Sequence, residues 1–315
     1  MSFQNIKRIE KAQTYLDIAI RKGIKTKSSR HEMPDMKKAK QLNMQVIGII
    51  NDVLSSKLDE VVKEFPALDN FPEFYAELLK ITLDKDELKK SLGSVSWAKK
   101  KINALAREHK SKSGEAASYE RLAKIKSAFI GRISSVMKQI DKYLTIIENA
   151  RLTLADYPVI KTDLFSVCIA GFPNVGKTTL LSKLTVSKPD IQAYAFTTKQ
   201  LNLGYAEMQG QKIQFIDVPG TLARPEKMNN IEKQAYLAIK YIADLVIYIF
   251  DITEPYPLED QKKLLEIIKQ FKKPIILYLS KTDILEQDLI DKFRQDFQII
   301  TDISELKEEI NSKIE

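Results

Sequence analysis

GFPNVGKT, residues 171–178, stands directly after the apolar run FSVCIA (165–170) and directly before TLLSKLT (179–185), whose apolar residues share one helical face. Gly171, Gly176, Lys177 and Thr178 satisfy the pattern G-x-x-x-x-G-K-[ST] of a phosphate-binding loop. The spacing has a chemical reason. A polyphosphate needs backbone N–H donors turned inward, and glycines let the main chain come close enough. Phe172, Pro173, Asn174 and Val175 fill the loop, and a helix opening at Lys177 sets its positive end against the phosphates. Lys177 then reaches β- and γ-phosphate oxygens, and the Thr178 hydroxyl holds Mg2+, with Thr179 following on the first turn. Strand before and helix after are the context this motif requires, and both are expected here.

Three further motifs follow in order, each after an apolar run. Asp217 to Gly220 read DVPG; the carboxylate suits the magnesium shell, and the Gly220 N–H suits a γ-phosphate. A contact made with a triphosphate and lost on hydrolysis is a switch. Between this motif and the loop lies YAFTTK (194–199), where Thr198 is the better candidate to complete the metal coordination. SKTD (280–283) matches the [NTS]-K-x-D pattern that reads guanine. There Asp283 accepts two hydrogen bonds from the base, and the Lys281 stem lies along it. Ser280 stands where asparagine is usual. Thr301–Asp302 take the place of the last base-contacting motif, offering a backbone N–H. Lys177, Thr198 and Gly220 are the candidates for catalysis. Thr221 replaces the water-orienting glutamine of Ras-like enzymes, so basal turnover is expected to be slow. Asn174 has two readings, a potassium ligand beside the phosphates or a small polar loop residue.

Around these motifs the second half alternates strand and helix. LNLGYAEM (201–208) and KIQFID (212–217) flank a turn, and ADLVIYIFD (243–251) and KPIILYLS (273–280) are apolar enough for central parallel strands. DFQIIT (296–301) reads as a last strand and 304–315 as a closing helix. The first half reads differently. Helices are expected over 4–22, 35–64, 84–110 and 116–152, with short helical pieces over 65–92 in which Asp69 or Asn70 caps the piece containing Pro72. A basic loop with Gly23 and Pro34 spans 21–35, and Gly114 separates the last two helices. No proline falls between residues 73 and 157, which argues against a barrel or sandwich. The expected fold is an α/β P-loop GTPase domain (161–315), a mostly parallel sheet flanked by helices, preceded by an all-α helical bundle (1–160).

Charge divides the chain the same way. Residues 1–165 carry a net charge of +10 and 166–315 carry −2, so the whole excess of +8 belongs to the helical half. Such a surface is either a solvated helical face or one that meets RNA. Lys22, Lys25, Lys27 and Arg30 in the basic loop are the first candidates for phosphate contacts, and Lys99, Lys100 and Lys101 the second. The start MSFQNIKRIEK has no signal-peptide core, no apolar run is long enough for a membrane span, and the single cysteine, Cys168, lies within an apolar strand. A reducing cytoplasm, no membrane partner and a monomer when free are the expectations.

At this point the sequence resembles the nucleolar GTP-binding protein 1 family and its archaeal relatives, within the Obg-like GTPases. GFPNVGKT, AYAFTTK (193–199), DVPG and NNIEKQA (229–235) carry the likeness in the second half. FPALDNFPEFYAELL (65–79), LDKDELKKSLG (83–93) and IGRISSVMKQ (130–139) carry it in the first, on segments other Obg-like proteins lack. The resemblance implies a GTP- and GDP-binding assembly factor of the large ribosomal subunit, whose helical domain enters an rRNA-rich cavity of the precursor. The family usually has asparagine where Ser280 stands and a hydrophobic residue where Thr221 stands. Its eukaryotic members have a carboxy-terminal extension, and partners reached through it are not carried over. The alternative is a GTP-dependent signalling or scaffold switch whose helical domain binds protein.

Overall fold

The computed structural model describes residues 3–25, 35–185, 190–192, 201–218, 230–253 and 256–314. The chain forms two compact units, one of Phe3–Leu68 with Leu83–Ala155, the other of Asp69–Thr82 with Asp156–Glu315 (and the first two residues).

The first unit is all-helical: α1 (Ala12–Lys25), α2 (Met36–Glu64), α4 (Lys85–Glu115) and α5 (Tyr119–Ala155). Asp35 and Asp84 cap α2 and α4, accepting from the N–H groups of Lys38 and Glu87. Ile47, Ile50, Leu54 and Leu58 of α2 are fully buried, as are Val95 and Ile102 of α4 and Phe129, Ile133 and Ile147 of α5. Two expectations need correcting. The first helix begins at Ala12, not near residue 4, because carboxylates from distant helices take up the backbone donors ahead of it. Lys7 N–H donates to Glu64, Ile9 N–H to Glu148 and Ala12 N–H to Asp141, each at 2.8 Å. Nor does Gly23 break a helix, while Gly114 does mark the separation of α4 from α5, lying in the last turn of α4 one residue before its end. A Cβ on Gly23 would come within 2.6 Å of Ile50 Cγ1, so glycine lets α1 lie close on α2. The last turn of α4 is held beyond Gly114 by buried Ser113, whose hydroxyl donates to His109 O and accepts from Asn43 Nδ2 at 3.0 Å.

The second unit is a sheet of order β2-β3-β4-β1-β5-β6-β7 among the described residues. Its strands are β1 (Ser166–Ala170), β2 (Asp190–Gln192), β3 (Leu201–Met208), β4 (Gln211–Asp217), β5 (Leu245–Phe250), β6 (Ile275–Leu279) and β7 (Ile299–Ile300). β4, β1, β5, β6 and β7 run parallel, while β2 and β3 pair antiparallel. Every residue of β1 and β5 is buried, which explains their unbroken apolar sequence. The short edge strand β2 has no sequence signal of its own. Helices α6 (Lys177–Leu184), α7 (Asn230–Tyr241), α8 (Leu258–Lys269), α9 (Gln287–Asp296) and α10 (Ile303–Asn311) connect and close the strands.

One helix from the first half of the chain belongs to this unit. α3 (Glu73–Thr82) lies in the stretch that groups with the sheet and buries Phe74, Tyr75, Leu78 and Leu79. The Tyr75 hydroxyl donates to Pro158 O at 2.7 Å and accepts from Ile160 N–H at 3.0 Å. Burial pushes its pKa up to about 12, so it stays protonated as a donor.

Candidate nucleotide site

The phosphate loop occupies the turn between β1 and α6, at the carboxyl end of a central strand. Gly176 has φ 93° and caps α6, with Leu180 N–H bonding its carbonyl at 2.9 Å. Gly171 is required twice over. Its φ is 151°, and a Cβ there would stand 2.8 Å from the carbonyl oxygen of Ile249 on β5. Asn174 also sits in the left-handed region, at φ 63°, which asparagine tolerates better than most residues. Phe172 and Val175 are buried, and their packing holds the loop shape from the inside. Phe172 meets the ring of Tyr256 at 4.8 Å between centroids.

Lys177 is 8% exposed, and its ammonium is turned back onto the loop, donating to Phe172 O at 2.6 Å and Gly171 O at 3.2 Å. A second cluster begins at the second residue of α6. Thr178 Oγ1 donates to Asp217 Oδ2 at 2.6 Å, and Asn202 Nδ2 donates to the same oxygen at 2.9 Å. The sheet register produces this convergence, since Asp217 pairs with Ile169 of β1 on one side and with Asn202 of β3 on the other. A hydroxyl and a carboxylate side by side are hard oxygen donors of the kind Mg2+ takes, so Thr178 and Asp217 fit the ion. Asn202 orients the carboxylate. Sequence reading missed it, although a polar residue at the start of a strand facing an aspartate was the available signal.

The SKTD segment follows β6. A Cβ on Gly176 would lie 3.9 Å from Ser280 Cβ, so this segment borders the phosphate loop. Ser280 is buried, and its hydroxyl donates to Phe250 O at 3.1 Å, a main-chain tie to β5. Lys281 has φ 54° and pairs with Asp251 at 2.6 Å. Asp251 is wholly buried at the end of β5 and also accepts from the Thr253 N–H and hydroxyl. Burial opposes its ionisation, but Lys281 and Thr253 together hold the carboxyl below its usual range. Asp283 lies exposed in a 3-10 turn that follows β6. Thr301 accepts from Arg294 at 2.6 Å, and Asp302 caps α10 through Ser304 and Glu305. The Asp302 side chain is thus engaged in capping α10.

Comparison with known proteins matches both halves. The model described as "NOG1 N-terminal helical domain" covers residues 3–161, and that described as "50S ribosome-binding GTPase" covers 166–281. The chain belongs to the nucleolar GTP-binding protein 1 family. Nucleolar GTP-binding protein 1 of Drosophila melanogaster is 33% identical across 98% of this chain and 48% of its own length. The Saccharomyces cerevisiae protein of that name is 29% identical across 97% and 48%. An uncharacterized protein of Methanocaldococcus jannaschii is 36% identical across 86% of this chain and 78% of its own. The chain spans about half the length of the nucleolar GTP-binding proteins it matches. The architecture of a family-specific helical domain followed by a P-loop GTPase domain is therefore established.

In this family member Thr198, Gly220 and Thr221 lie outside the described residues, as do Lys27 and Arg30. Lys22 and Lys25 are exposed on the last turn of α1, not on a loop. Lys99 is paired with Asp59 at 2.5 Å, whereas Lys100 and Lys101 are exposed. Among the described residues no helix is long and apolar enough to cross a membrane.

Proposed function

We propose that this chain hydrolyses GTP and acts in assembly of the large ribosomal subunit, binding rRNA through its basic helical bundle. The observation that carries the reading is the convergence of Lys177, Thr178 and Asp217 on one loop, joined in sequence to a bundle that holds the whole positive excess. The description of the matching GTPase model, 50S ribosome-binding, supports the choice of partner.

In this reading the backbone N–H groups of the loop and the start of α6 bind the phosphates. Lys177 exchanges its loop carbonyls for β- and γ-phosphate oxygens, so a donor already aimed into the loop needs little reorganisation. Bound Mg2+ would offset phosphate charge; Thr178 and Asp217 hold it, with Thr198 as a further ligand. Asp283 accepts from the guanine edge. Gly220 senses the γ-phosphate. With Thr221 in the place of a glutamine, turnover of the isolated protein is slow, and the cytoplasm is its place of action.

The test is affinity for large-subunit rRNA as a function of salt. Each phosphate contact releases a condensed counterion, so affinity falls steeply as salt rises. Reversing Lys22, Lys25, Lys27 and Arg30 flattens the log–log slope and leaves GTP affinity unchanged. An unchanged slope and unchanged particle binding would overturn the rRNA reading in favour of a bundle that binds protein.

A further inference from the structure

The bundle carries a groove that the nucleotide site does not use. It lies between α4 and α5, with a volume of about 490 Å3, open to solvent and lined among others by Lys90, Gly93, Trp97, Gln139, Lys142 and Tyr143. Trp97 is the sole tryptophan of the chain and is 46% exposed, whereas the Phe129 ring on α5 of the same bundle is fully buried. Leaving an indole in water forgoes burial of one of the largest apolar surfaces a side chain offers.

Beside the indole, one helical turn earlier, stands Gly93, with no atom within 4 Å of the place a Cβ would occupy. Glycine is a poor choice for the interior of a 31-residue helix. Here it leaves a flat, open strip of backbone next to a flat ring. The flanks are cationic. Lys90 and Lys142 line the two sides, and the Lys142 ammonium sits 4.8 Å from the ring centroid of Tyr143. Among the described residues no carboxylate lines the groove. Asp141, the acid nearest in sequence on α5, accepts from Ala12 N–H. Exposed Lys101 and Lys138 continue the positive charge one turn further along each helix.

A half-exposed indole, a bare strip beside it, an amide at Gln139 and two flanking ammonium groups are the parts of a site for an aromatic ring that carries a phosphate. We propose that this groove takes one unstacked nucleotide of single-stranded RNA, its base against Trp97 and its phosphate between Lys90 and Lys142. Stacking on an aromatic face with cations along the backbone is how single strands are held without a duplex groove. The proposal rests on the RNA-binding reading above and adds where, and in what form, a strand is held.

Because Trp97 is the only indole, its fluorescence reports this groove alone. The 315-residue chain is titrated with a short single-stranded oligoadenylate and, separately, with inorganic polyphosphate of matched charge. RNA quenches Trp97 emission, and polyphosphate binds with little quenching. Trp97→Ala weakens oligoadenylate on the order of 5- to 100-fold, and Trp97→Phe recovers part of the loss. Gly93→Leu fills the strip, favours the helix and weakens RNA to a similar degree, so loss of folding is not the cause. Equal quenching by polyphosphate, or native affinity in both the Trp97→Ala and Gly93→Leu variants, would overturn the groove. If the native protein then still bound rRNA with a steep salt slope, the bundle would remain an RNA-binding domain without this site. If the native protein bound no RNA at any salt, both readings would fall.

Discussion

Lys281 and Asp251 form a 2.6 Å ion pair in which the carboxylate is wholly buried and the ammonium reaches the surface. The pair ties the end of β5 to the SKTD motif that follows β6. Lys281→Met leaves a buried carboxylate without its cation, and we expect a loss of about 3 kcal/mol, at the low end for breaking a buried pair. The pH dependence has a definite sign. A depressed carboxyl pKa means that the stabilisation is complete above the ordinary value of 3.8 and is lost as pH falls below it, through the folded-state value. Denaturant unfolding at pH 7 and pH 4 should show the native protein little changed and the variant weaker at both. Equal stability of the two proteins at pH 7 would show the pair to be dispensable.

Asp283 should decide base choice. Asp283→Asn should lose GTP affinity by on the order of 10- to 100-fold and gain affinity for xanthosine triphosphate, whose ring edge suits an amide. Competition binding with the two nucleotides measures this. Equal affinity of the native protein for ATP and GTP would remove Asp283 from that role.

The Thr178–Asp217 contact is short and shared with Asn202. Thr178→Ala should remove one hard ligand, so that adding magnesium no longer tightens triphosphate binding, while diphosphate binding in chelator changes little. Asn202→Ala should have a smaller effect in the same direction, because it only orients the carboxylate. A full magnesium response in Thr178→Ala would contradict the assignment. If potassium also sits at Asn174, hydrolysis should run faster in potassium than in sodium at matched ionic strength.

How much of this was legible from the chain depends on how local the cause was. The phosphate loop could be read because its glycines, lysine and threonine act at fixed short spacing, and the central strands because both faces are buried. The start of α1 could not be read, since the carboxylates that take its backbone donors, Glu148 and Asp141, come from a helix more than a hundred residues away. Gly114 was readable as the break after α4 because glycine is a poor helix former, but the contact from Asn43 to Ser113 on that last turn is tertiary and had no local signal. Asp251 carried no motif and acquires a role only when the sheet brings it to Lys281. Lys99 likewise looked available until the fold set it against Asp59.

Tyr75 gives a stability test outside the site. Tyr75→Phe keeps the ring but leaves the Ile160 N–H and the Pro158 carbonyl without their hydroxyl partner, which should cost about 1–3 kcal/mol. Thermal or denaturant unfolding reads this directly. A change smaller than a few tenths of a kcal/mol would mean that water replaces the hydroxyl at little cost.

The placement of α3 has a consequence for how the protein is made. Its apolar residues Phe74, Tyr75, Leu78 and Leu79 leave the translating ribosome long before β1 to β7, the strands of the unit in which they are finally buried. The helical bundle meanwhile needs α4 and α5, which are synthesised after α3. The bundle can close as soon as α5 is made, with the α3 stretch looped out, but the sheet unit cannot close in simple amino-to-carboxyl order, and a sticky helix waits in the nascent chain until the sheet arrives. A polypeptide starting at residue 161 would carry the whole sheet and still lack α3, and its exposed apolar face would favour aggregation over soluble GTP binding.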